Sequence, residues 1–181
     1  MKPSPYFADQ LKFFFKRFAS NQKLTRWFLD QAGETSGAFD FPAALMNNPK
    51  TLVFLPRDME TASTFMHTMP QAWFQHALIC AHESQHTLLS AKRARGIYYS
   101  DLECRFGENV FSELEQNILE YAPTVCIYIG EPFLPRLYLA KKSGASCRIG
   151  FNCESEYPFL NLSLTLSGSS PAALLMKYYG L

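Results

Sequence analysis

Thr124-Val125-Cys126-Ile127-Tyr128-Ile129-Gly130 is the stretch that decides the fold. It is a β-branched, apolar and aromatic run without polar alternation, and Gly130 closes it. A strand of this kind is buried on both sides, which happens when helices cover both faces of a parallel sheet. The residues before it read as a helix over Glu108–Tyr121. Val110, Phe111, Leu114, Ile118 and Leu119 form its apolar side, and Pro123 follows its end. After it, Pro132–Lys142 reads as a helix stopped at Gly144, and Cys147–Phe151 as the next strand.

The same rhythm extends outward in both directions. Toward the N-terminus, Thr51–Leu55 is a buried strand between Pro49 and Pro56, residues 59–69 are helical, and Ala77–Cys80 is a second strand. His86–Ala94 reads as a helix with a basic end, followed by a short strand at Gly96–Tyr99. Toward the C-terminus, Phe159–Leu166 alternates in part, as an edge strand does, and Pro171–Tyr179 suits a last helix with proline in its first turn. Strand and helix in regular alternation imply βαβ crossovers. The expected fold is therefore α/β: a single Rossmann-like domain over residues 49–181, mainly parallel, with helices on both faces.

Residues 1–48 form a different unit. Phe7, Leu11, Phe14, Phe15 and Phe18 share one side of an amphipathic helix that Asp9 can cap, and Leu24, Trp27 and Phe28 continue the apolar stripe. Lys12, Lys16 and Arg17 lie around it. Two readings follow for residues 9–29: the apolar side packs on the domain, or it docks on an anionic membrane surface or a partner protein. Gly33–Asn48 reads as a connector, and Asn47-Asn48-Pro49 as a turn.

Bulk properties narrow the function classes. The chain has 181 residues, 48% hydrophobic and 18% charged, with a net charge of +1. That composition fills one core and argues against disorder. Neither net charge nor motif points to nucleic acid. Five cysteines in an apolar chain of this length, with no CxxC pair, read as reduced thiols of a cytosolic protein. The N-terminus lacks an apolar signal region, and no run approaches the ~18 apolar residues of a membrane span. The expected location is cytoplasmic, with residues 9–29 able to bring the chain to the inner membrane surface.

In open α/β sheets, ligands bind beyond the carboxyl ends of the strands. Those positions are Pro56–Thr61, Ala81–Glu83, Ser100-Asp101 and Gly130–Pro132. Asp58 can take a proton from an acceptor hydroxyl, or it can cap the helix that starts beside it. Arg57 can hold an anionic group. Neither GxGxxG nor GxxxxGK[ST] occurs, so no nucleotide cofactor is expected. His82-Glu83-Ser84-Gln85-His86 matches H-E-x-x-H. On a helix, His82 and His86 can share a zinc with Glu83 as base, the signature of a zinc hydrolase. The alternative is a strand end, a loop and a helix start.

Residues 50–181 resemble the acceptor-side, N-terminal domain of family 9 glycosyltransferases, the heptosyltransferase-like GT-B group. The residues that carry the likeness are Lys50–Leu55, Asp58, Met69-Pro70 with Trp73–Cys80, and Pro123–Ile129. The most specific segment is Leu137–Phe151, with Ala140, Ser143-Gly144-Ala145 and Arg148-Ile149-Gly150-Phe151, followed by Phe159-Leu160-Asn161. The resemblance implies hexosyl or heptosyl transfer to a sugar or lipid-linked acceptor, with Asp58 as catalytic base. Arg57, Glu60, His82 and Glu131 are the expected acceptor contacts. It also implies a second, donor-nucleotide domain outside this chain. Where the family has a Gly-Asp pair, this chain has Arg57-Asp58. The rival reading is a non-catalytic scaffold or interaction protein on the same fold.

Overall fold

A computed structural model of the chain describes Arg26, Leu29, Asp30, Ala32 and residues 38–100, 109–152 and 158–180. The amphipathic stripe of residues 7–28 lies almost wholly outside the described residues, as do Asp101, Cys104 and Cys153.

Six strands form one parallel sheet: β1 Thr51–Phe54, β2 Ala77–His82, β3 Arg95–Tyr99, β4 Val125–Tyr128, β5 Cys147–Phe151 and β6 Leu162–Leu164. Their order is β3-β2-β1-β4-β5-β6, and every neighbouring pair is parallel. The α/β reading is therefore correct. Among the described residues of the α/β domain, five α-helices accompany the strands: α1 Met59–Thr68, α2 His86–Ala91, α3 Asn109–Tyr121, α4 Leu134–Lys142 and α5 Pro171–Tyr179.

The central strands explain why unbroken apolar runs were needed. Every residue of β1, β2, β4 and β5 is buried. Alternate residues serve opposite faces, as the period of two requires. Val53, Ile79, Ile127 and Ile149 pack against Phe65 and Met66 of α1, Leu89 of α2 and Leu175 of α5. Leu52, Phe54, Leu78, Cys126 and Tyr128 pack against Leu114 and Ile118 of α3 and Leu137 of α4. The chain thus steps outward from β1 to β3 with helices on one face. It returns through α3 on the other face to place β4 against the free side of β1.

Some boundaries move. The helix after β4 begins at Leu134 rather than Pro132, because Phe133 is extended at its N-cap and Pro135 follows inside the first turn. Gln71–His76 before β2 is a 3₁₀ turn, and β2 runs two residues past Cys80 to His82. The edge strand after Phe159 shortens to Leu162–Leu164. Gly144, with φ 74°, ends α4 in the left-handed region. Among the described residues, no helix is long and apolar enough to cross a membrane. The thiols of Cys80, Cys126 and Cys147 are buried, and burial raises the Cys147 thiol to about 11.

Candidate functional site

The strand order reverses direction between β1 and β4, so the loops beyond their carboxyl ends diverge to opposite faces. Such a switch point leaves a crevice. Here it is a cleft of about 590 Å³. One wall is Pro56, Arg57, Asp58 and Thr61, from the β1–α1 loop and the start of α1. The other is Gly130–Phe133 from the β4–α4 loop, with Tyr99 and Arg136 also lining the cavity.

Each wall is held by identifiable contacts. Leu55 N donates to Cys80 O at 3.0 Å, and Ile129 N donates to Phe54 O at 3.0 Å, so the strand pairing continues to the cleft edge. Gln85 is fully buried and ties two strand ends together. Its Nε2 donates to Pro56 O at 2.8 Å, while its Oε1 accepts from His82 N at 3.1 Å. On the opposite wall, Tyr128 Oη donates to Glu131 O at 3.1 Å and accepts from Phe133 N at 2.9 Å. This one hydroxyl closes the β4–α4 loop. Tyr128→Phe leaves the partly buried Phe133 N–H without its acceptor. The expected loss is about 1–2 kcal/mol of stability, read as a lower urea midpoint at unchanged slope.

The acids and bases expected at the rim divide into two groups. Arg57, Asp58 and Glu131 line the cleft and are exposed. Glu60 does not. It faces a smaller cavity of about 190 Å³ between α1 and the start of α5, beside Ser170 and Pro171. His82 does not line the cleft either. It is buried on the same face as Leu78 and Cys80, its Nδ1 lies 2.8 Å from Ser84 Oγ, and its ring meets Tyr99 edge-on at 5.5 Å. It therefore supports Tyr99 from behind.

Asp58 is the N-cap of α1. Its Oδ2 accepts from Thr61 N at 2.7 Å and from Thr61 Oγ1 at 2.6 Å. These bonds to the Thr61 hydroxyl and amide hold its carboxyl below the ordinary value of 3.8. A depressed value means the cap's stabilisation is complete above the unfolded value and is lost as pH falls through the folded one. Asp58→Ala is expected to lower Tm at pH 7, with the difference shrinking toward pH 3. Asp58→Asn keeps the cap, since Asn serves this position as well as Asp. Calorimetry of both variants at the two pH values checks this.

The H-E-x-x-H residues do not share a helix. His82 ends β2, Glu83–Gln85 form a 3₁₀ turn, and His86 begins α2. The two histidines are therefore not one helical turn apart, and His86 packs its ring on Tyr98 at 5.1 Å. Among the described residues, no cluster of three His, Cys, Asp or Glu side chains can hold a metal.

Arg136 was not expected in the site. It projects from α4 and is buried. Its Nη1 donates to Leu55 O at 2.9 Å and to Tyr99 Oη at 3.2 Å. The guanidinium lies 5.4 Å from the ring centre of Tyr128, 5.6 Å from Phe133 and 5.8 Å from Tyr99. Such ring contacts are each worth about 0.5–2 kcal/mol and offset part of the cost of burying the charge.

Strand order and cleft position define the class: a doubly wound α/β domain with a crevice at its switch point. Comparison of the chain with known protein families, with curated proteins and with solved structures gives no match. The residues that carry the glycosyltransferase resemblance are placed as follows. Arg148 is the second residue of β5, on the second face. Its Nε donates to Phe159 O at 2.8 Å, its Nη1 to Ala145 O at 2.7 Å and its Nη2 to Pro158 O at 3.3 Å. Asn161 Oδ1 accepts from Arg148 N at 2.7 Å, and its Nδ2 donates to Ser146 O at 2.7 Å. This motif clamps the β5–β6 connection and does not line the cleft.

Proposed function

We propose that this domain is an acceptor-side binding module of the glycosyltransferase type, holding a sugar-bearing ligand in the cleft between the β1 and β4 loops. The observation that carries the reading is the position of that cleft. It lies at the one place where the sheet reverses direction, and polar side chains line both walls. The resemblance supplies the sugar class. An acceptor-side domain contributes acceptor binding, while transfer also needs a donor domain to orient both substrates.

Within this reading Asp58 serves binding better than proton abstraction. Its Oδ2 already caps α1, and a carboxyl held below its ordinary value is a weak base near neutral pH. Titrating isotope-labelled protein with methyl glycosides tests the proposal. The expected amide shifts cluster at residues 57–61, 99, 130, 131, 133, 134 and 136. Shifts confined to the exposed side of α3, or none with any glycoside or sugar acid, remove the reading. If a donor domain is supplied in trans, unchanged transfer by Asp58→Asn removes the base role.

A further inference from the structure

We propose that Arg136 is an oxyanion-binding residue, and that the ligand of this cleft carries a carboxylate or phosphate on a ring body. The inference rests on the cleft being the binding site and names the chemistry it selects. A guanidinium has five donors in a planar fork. Two of them, both on Nη1, are taken by Leu55 O and Tyr99 Oη. Nε is buried and has no hydrogen-bond partner among the described residues. Nη1 therefore anchors the group from behind, while the Nε–Nη2 edge has no acceptor among the described residues. That edge is the one that grips an oxyanion with two parallel bonds.

A side chain only 8% exposed, with a polar atom lacking a partner and lining a cavity, is costly for stability alone. An oxyanion that accepts from that edge satisfies it. The surroundings suit the rest of such a ligand. Phe133, 41% exposed, lies over the guanidinium at the cleft mouth, and the anion reaches Nε by displacing this ring. The displaced ring and Tyr99 then offer apolar surface to a sugar or aromatic ring. Arg57 on the facing wall adds positive charge, whereas Asp58 and Glu131 penalise a ligand of higher negative charge unless it seats directly on Arg136.

The test follows the side-chain Nε–Hε resonance of Arg136 in the full chain, assigned by its disappearance in Arg136→Lys. The probes are glucuronate, glucose 1-phosphate, benzoate and inorganic phosphate, with methyl glucoside as the neutral control. The expected result is a saturable downfield shift with at least one ring-bearing anion, and at least tenfold weaker binding of the neutral glucoside. Preference for glucuronate or for glucose 1-phosphate separates carboxylate from phosphate. Equal binding of neutral and anionic sugars overturns the oxyanion role and leaves the cleft reading standing. No saturable shift at Arg136 or at residues 57–61 with any probe overturns both. If Arg136→Lys does not fold, Nε–Hε assignment through bonds from the Arg136 backbone provides the same readout on the native chain.

Discussion

Replacing Arg148 by methionine is expected to destabilise this domain by about 3–5 kcal/mol. The volume is nearly kept, but three backbone carbonyls lose their donor at once: Ala145 O, Pro158 O and Phe159 O. Arg148 is 4% exposed and its bonds to Ala145 O and Phe159 O are buried, so water does not replace those two. Phe159 and Leu160 belong to the second core face, and the clamp holds them there. Loss of the clamp therefore couples to packing under α4. In a chain of this length the change lowers Tm by about 6–20 °C. Lysine is no substitute, since a single ammonium cannot reach three carbonyls in a fork. Thermal unfolding of Arg148→Met and Arg148→Lys checks both statements. A loss under about 1 kcal/mol for methionine contradicts them.

The second large effect falls on Gly130. Its φ is 97°, a conformation that side chains rarely adopt, and a Cβ there meets Pro56 Cβ at 2.7 Å. Pro56 is buried and sits on the opposite wall of the cleft, so it cannot retreat without moving the β1–α1 loop. Gly130→Ala combines backbone strain of about 1–3 kcal/mol with this steric push. The expected total is about 2–4 kcal/mol. Unlike the Arg148 change, it also deforms the cleft. Any ligand found to bind there should weaken in Gly130→Ala at temperatures where the variant is still folded.

How far the sequence reveals this molecule depends on the range of the interactions. The sheet was legible because β1, β2, β4 and β5 must be apolar on both faces, and unbroken runs such as Val125–Ile129 say so locally. The rim was legible as well, since carboxyl-end loops follow directly from the strands. Arg57, Asp58 and Glu131 accordingly line the cleft beyond those strand ends. Side-chain direction was not legible. His82 still belongs to β2, so the period of two turns it inward with Leu78 and Cys80. Glu60 sits one residue into α1 and faces α5 instead of the cleft. Arg136 was hidden because a basic residue in a helix ordinarily reads as solvated. The usable signal was its setting: Phe133-Leu134-Pro135 before it and Leu137-Tyr138-Leu139 after it leave no polar side for it to occupy.

Placing β1 at the centre has a cost during synthesis. One edge of β1 is covered by β2 soon after, but the other waits for β4. Lys50 and Thr124, which bond across that seam, are 74 positions apart. At about 5–20 residues per second, a ribosome takes roughly 4–15 s to cover that interval. For that time the nascent chain carries an apolar strand with one side unpaired, the condition that recruits chaperones or another copy of the same strand.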